Sequence, residues 1–159
     1  MTITTNQRAF LDMLAHSEIG PAMLAMPETE NGYKVIVGST PQKLILMTDY
    51  ADHPRKLIPL YHGLASTAAG RYQLLSRYFD PYKKLLGLPD FSPDSQDAIA
   101  LQQIRERHAL DDIEAGRFAA AVGKVSNIWA SLPGSGYGQH TNQLAELQAA
   151  YSQAGGTFT

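Results

Sequence analysis

Glu18 is the acid whose placement says most about chemistry. On a helix turning about 100° per residue, with Phe10 as zero, Leu14 falls at about 40°, Glu18 at about 80° and Leu11 at about 100°. The carboxyl therefore continues an apolar stripe instead of facing water. Burial disfavours its charged form and the negative end of a helix disfavours it further, so both effects raise its pKa. A carboxylic acid still protonated near neutral pH can donate that proton to a leaving group. The same position also fits a glutamate at a fraying helix end that simply turns out to solvent.

Gly70-Arg71-Tyr72-Gln73 is a second candidate. Glycine early in a helix lets a ligand approach the backbone closely. Tyrosine and glutamine add a flat apolar face with a hydroxyl, and a paired donor and acceptor, which suit a sugar. A plain helix start with a core tyrosine fits the same residues. Ser126 to Pro133 carries the only tryptophan, Trp129, whose expected place is the core. Asn127 and Tyr137 would line a cleft if the following glycine-rich loop folds over one. Gly134-x-Gly136-x-Gly138 follows a helix and a proline, not a strand, and its spacing is wrong for a nucleotide-binding loop.

Asp49 and Asp52 beside His53 are candidates for a second catalytic carboxylate, although capping a turn is the commoner role. The five histidines, His16, His53, His62, His108 and His140, have no metal-ligand spacing, so no metal site is expected. Gly-x-Ser-x-Gly and Ser-x-x-Lys are both absent, which removes the best-known serine-nucleophile signatures.

The elements that must position these residues are mostly helical. Phe10, Met13 and Leu14 predict a helix over 6–17, ended by Ile19-Gly20-Pro21. Tyr33–Val37 and Leu44–Thr48 are β-rich runs around Gly38-Ser39-Thr40-Pro41, which predicts a hairpin; the rest of 21–65 reads as loops. A helix is expected from Ala68 to Phe79, with a break at Pro81 before Tyr82–Leu86 and Gly87. Ser92-Pro93 is a helix start, an N-cap serine with proline at the first helical position. Further helices are expected at 109–115, 117–130 and 141–154. The class is α+β: mostly helical with one small β lobe, in a single domain over 1–159.

Composition narrows the partners. Hydrophobic residues make up 44% of the 159 and charged residues 18%, enough for a core. A net charge of −2 without basic runs argues against a nucleic-acid partner. The absence of cysteine removes disulfides, thiolate metal clusters and a cysteine nucleophile. The N-terminus lacks the pattern of a signal peptide, and no apolar run approaches the roughly 18–20 residues that span a bilayer. The expected place of the chain is therefore the cytoplasm, without stable membrane association.

Read together, several long words resemble the lambda-type phage endolysins, a family with a lysozyme-like fold that cuts bacterial peptidoglycan. They are residues 6–15 followed by Ser17-Glu18, then Asp52 to Leu57, and Ala69 to Arg77. Phe91-Ser92-Pro93 with Ser95 to Ala98, and Ser126 to Gly134 with Gly136 to Gln139, complete the collinear match. The resemblance implies lytic transglycosylation with Glu18 as the catalytic acid. It also implies glycan strands as the partner, Tyr72, Gln73, Asn127 and Tyr137 as substrate contacts, and no cofactor, with a monomer as the default expectation. The protein would accumulate in the host cytoplasm until a holin opens the inner membrane.

The chain departs from the lambda pattern at His16 in place of a tryptophan, at Ile19-Gly20 in place of Gly-Thr, and over 20–32 and 39–47. Two other readings stand beside it. One is a hydrolytic muramidase that pairs Glu18 with Asp49 or Asp52. The other is a non-catalytic peptidoglycan-binding or interaction protein on the same fold.

Overall fold

A computed structural model of the protein describes residues 2–135 and 141–159. The chain forms two compact units, one from Met1–Glu18 with Ala100–Thr159 and the other from Ile19–Ile99.

The first unit is built on α1, Thr5–Glu18. Thr4 starts it one residue earlier than the sequence reading places it, by a reciprocal cap. Gln7 N–H donates to Thr4 Oγ1 at 3.1 Å, and Thr4 N–H donates to Gln7 Oε1 at 3.3 Å. Phe10, Leu11, Met13 and Leu14 are completely buried along the stripe that the sequence marks. Burying each such side chain contributes roughly 1.5–3 kcal/mol. Around α1 lie α5 (Leu110–Glu114), α6 (Phe118–Val125) and α7 (Leu144–Gln153). Phe10, Phe118, Tyr151 and Phe158 form an aromatic cluster, with Phe118 and Tyr151 centroids 4.8 Å apart. Asn6 Nδ2 donates to the Ile113 carbonyl at 3.0 Å and ties α1 to α5. The helix expected over 117–130 stops at Val125, and residues 126–128 continue as turns.

The second unit opens with α2, Pro21–Leu24, whose proline occupies the first helical position after Gly20 at φ 88°. The expected hairpin is present as paired backbone: Ile36 N–H donates to the Ile45 carbonyl at 2.8 Å and Met47 N–H to that of Lys34 at 2.9 Å. Its pairing stays at single bridges, Val35 with Leu46 and Thr40 with Lys43. The regular antiparallel pair is instead β1 (Ile58–Pro59) with β2 (Ala65–Ser66), in a stretch the sequence assigns to loops. Ile36, Met47, Ala69, Leu74, Phe79, Phe91 and Ile99 make the core.

The helix expected from Ala68 is a correction. Residues 69–74 fold back on themselves, with Ala69 and Leu74 exchanging hydrogen bonds of 3.1 and 2.9 Å. Gly70 (φ 86°) and Gln73 (φ 52°) are both left-handed, which no helix accommodates. A Cβ on Gly70 would lie 2.4 Å from Gln96 Oε1, so close packing rather than helix initiation explains this glycine.

Helix α3 runs from Ser76 to Leu86 straight through Pro81. The lost hydrogen bond is outweighed by anchoring, because Phe79 is fully buried with its ring 5.0 Å from that of Phe91. Gly87, at φ 64°, closes α3 as expected. Helix α4, Pro93–Glu106, starts where Ser92-Pro93 predicts and contributes its first half to this unit and its second half to the other.

Candidate active site

Glu18 is the last residue of α1, and Gly20 prevents the helix from running on. Its side chain keeps some exposed surface, but densely packed protein around the carboxyl pushes its pKa up to about 7. A hydrogen bond from the Ser131 hydroxyl opposes that rise. Ser131 Oγ in turn lies 2.7 Å from Ser17 Oγ. Asn142 Nδ2 reaches Ser17 Oγ at 2.9 Å and the Ser17 carbonyl at 3.2 Å. Two residues before Glu18, His16 Nε2 meets Glu146 Oε1 at 3.1 Å and ties α1 to α7. This carboxyl can be protonated or ionised near neutral pH, which is what a group that gives and later takes a proton requires.

The other sequence candidates are placed differently. Tyr72 is 5% exposed, and its hydroxyl donates to Asp97 Oδ1 at 2.6 Å. Tyr33 donates to the same oxygen at 2.9 Å. Arg71, also buried, donates from Nε to the Asn31 carbonyl at 2.9 Å and from a terminal nitrogen to the Tyr72 oxygen at 3.1 Å. Gln73 spends its amide nitrogen on the carbonyls of Gly70 (2.8 Å) and Val35 (3.2 Å). Both residues thus hold the fold-back at 69–74 together.

Asn127 is exposed, in an open hollow of about 490 Å³ lined also by Arg107, His108, Lys124 and Ser126. Tyr137, with the loop glycines Gly136 and Gly138 and with His140, lies outside the described residues. Trp129 is 2% exposed, in the core as its sequence position predicts.

Asp49 Oδ1 accepts from the Ala51 N–H at 2.8 Å, the turn-capping role. Asp52 is gripped through both oxygens by Arg55, at 3.0 and 3.1 Å, and also accepts from the His53 N–H at 2.9 Å. The Arg55 guanidinium holds the Asp52 carboxyl below the usual range. His53 is buried and neutral. Its Nε2 donates to the Leu74 carbonyl at 2.8 Å, and its Nδ1 accepts from the Arg55 N–H at 2.9 Å.

Against known families, the Endolysin model matches residues 8–158, nearly the whole chain. The chain belongs to the Endolysin family. Endolysin of Escherichia phage lambda is 55% identical over 155 aligned residues, covering 98% of this chain and 94% of that one. Endolysin of Escherichia phage P2 is 51% identical over 162 aligned positions, covering 97% and 96%. Among solved structures, bacteriophage lambda lysozyme complexed with a chitohexasaccharide superposes with a TM-score of 0.91 at 53% identity, over 100% of this chain and 99% of that one. A second structure of lambda lysozyme gives 0.87, at the same identity and coverage. The fold is therefore lysozyme-like, α+β and mostly helical, as the residue words imply.

Ser131 and Asn142 were not singled out as site residues by the sequence. Ser131 sits inside a matching word, but nothing in the spacing ties it or Asn142 to Glu18.

Proposed function

We propose that the protein is a phage endolysin that cleaves the β-1,4 bond between N-acetylmuramic acid and N-acetylglucosamine by lytic transglycosylation. In this reading the whole chain, 1–159, acts as one catalytic domain. The observation that carries it is the Glu18 carboxyl, poised near neutrality by burial and held by a hydroxyl donor. Family membership, and the glycan oligomer bound by the related lambda lysozyme, support the substrate class.

Glu18 protonates the glycosidic oxygen as the C1–O bond breaks and positive charge develops at C1 of the muramic residue. The departing sugar leaves with that proton as a free hydroxyl. The ionised carboxylate then takes the proton from the muramic C6 hydroxyl as its oxygen bonds to C1, which closes a 1,6-anhydro ring. Glu18 ends protonated and ready for the next bond. Because the nucleophile is attached to the reacting sugar, its effective concentration is high and no activated water is needed.

A muramidase would require a second carboxylate free to act on water or on C1. Asp49 is spent on a turn and both oxygens of Asp52 on Arg55, which favours the single-acid mechanism. Tyr72 and Gln73 then serve the glycan by shaping the surface at 69–74, while Asn127 and Tyr137 are proposed contacts. The reading places the protein in the host cytoplasm as a monomer without cofactor, until a holin admits it to the wall. Clearing of purified peptidoglycan suspensions tests the role of the acid: the wild type should clear them and Glu18→Gln should not. Full clearing by Glu18→Gln would move the assignment to another residue.

A further inference from the structure

The carboxyl of Glu18 stands at the end of a run of side-chain hydrogen bonds whose direction is set at the far end. Asn142 approaches the main-chain carbonyl of Ser17 at 3.2 Å, and since a carbonyl only accepts, the atom there is the amide nitrogen. The same nitrogen is 2.9 Å from Ser17 Oγ, which accepts from it. The Ser17 hydroxyl proton is then available to Ser131 Oγ, 2.7 Å away, and the Ser131 proton to Glu18. The backbone N–H of Asn142 also donates to the Ser131 carbonyl at 2.9 Å, so one residue grips both serines.

We propose that Asn142, Ser17 and Ser131 are positioning residues for the acid: a proton-ordered relay that fixes the Glu18 carboxyl and stabilises the carboxylate formed once its proton has been delivered. The inference rests on the reading of Glu18 as the acid. Burial alone would leave Glu18 reluctant to release its proton, and a donor aimed at the carboxylate counters that reluctance where charge develops.

The charged groups on the elements packed against α1 are engaged elsewhere or turned outward. Glu146 of α7 is on His16, Glu114 of α5 accepts from Thr4 at 2.6 Å, and Asp112 of α5 sits between Arg117 and Lys124. Asp111 of α5 is exposed. Among the described residues the serine relay is thus the local device that offsets burial at Glu18.

The test is a carbon NMR titration of the Glu18 side-chain carboxyl in the full chain, assigned with Glu18→Gln, for the wild type, Ser131→Ala, Ser131→Thr and Asn142→Ala. Losing a hydrogen bond to a charged group should raise the midpoint by about one pH unit in Ser131→Ala. Asn142→Ala should raise it by less, and Ser131→Thr, which keeps the hydroxyl, should restore it. On purified peptidoglycan, Ser131→Ala should lower kcat by about tenfold with KM unchanged. A wild-type midpoint in Ser131→Ala, or an equal rise in Ser131→Thr, would overturn the relay. If Ser131→Ala does not fold, Asn142→Ala decides in the same way, a rise supporting the relay and an unmoved midpoint refuting it. A wild type that degrades no peptidoglycan would sink the proposed function, whereas the titration would still read the relay.

Discussion

Burial pushes the Glu18 pKa up to about 7 because the protein around it makes charge costly, and that cost bears on stability as well as on the proposed acid role. Its folded pKa lies above the ordinary value of 4.5, so between 4.5 and about 7 the folded state binds more protons than the unfolded one. The contribution of Glu18 to stability is therefore most favourable below 4.5, declines as pH rises and levels off above 7. Glu18→Gln, which cannot ionise, should be roughly 1–3 kcal/mol more stable than the wild type at pH 8, with no gain at pH 4, by denaturant unfolding. The same substitution should cost on the order of 10²–10⁴ in turnover, the usual worth of a general acid. In the wild type, kcat/KM should fall as pH rises through about 7, because the first step needs the protonated acid. A flat profile across that range would contradict the assignment. The packed setting of Glu18 is legible from sequence because it is local, one helical face read four residues at a time. Its supporting serine and asparagine lie 114 and 125 residues from Ser17, and no short-range pattern encodes that meeting.

At the scale of elements, the fold-back at 69–74 and the buried histidine of the same unit are the sensitive points. Gly70→Ala would strain a left-handed backbone and push a methyl into Gln96, whose side chain also holds the Arg71 N–H at 2.9 Å. It should cost about 1–3 kcal/mol, read as a lowered Tm, and an unchanged Tm would refute the packing argument. His53 is buried with burial holding its pKa below 6.5, so below that pH the unfolded chain takes up protons that the folded one refuses. The His53 contribution to stability should fall as pH drops under 6.5, opposing that of Glu18, and replacing His53 with phenylalanine should remove that contribution from the pH profile at some cost in the two lost hydrogen bonds. The sequence marks both ends of α1, the C-terminal end of α3 and the start of α4 well because caps, glycines and prolines act locally. It misplaces the start of α3 because Tyr72-Gln73-Leu74-Leu75 has helical periodicity. Tertiary contacts override that periodicity: Gln96 fills the space at Gly70, and Asp97 captures the Tyr72 hydroxyl. The pair Ile58–Pro59 with Ala65–Ser66, two residues in each strand, is too short to carry an alternating pattern.

For the whole molecule, near-neutral charge is the property that bears on the substrate. Wall polymers are anionic, and a strongly basic lysozyme gains encounter rate by attraction that a chain of net charge −2 lacks. Initial clearing rates should therefore vary by less than about threefold between 20 and 200 mM salt, and a steep decline would reveal a concentrated basic face at work. Family membership was legible in the collinear words at 6–15 with 17–18, 52–57, 69–77, 91–93 with 95–98, and 126–134 with 136–139, since words of that length are rarely shared by chance. What those words do not settle by themselves is how the bond is broken, because one fold hosts both hydrolysis and ring closure. The direct test is mass spectrometry of the soluble products released from purified peptidoglycan. Muropeptides ending in 1,6-anhydro-N-acetylmuramic acid, absent from the Glu18→Gln digest, are the predicted result. Products heavier by one water, with a reducing end, would contradict single-acid transglycosylation and return Asp52 to the mechanism.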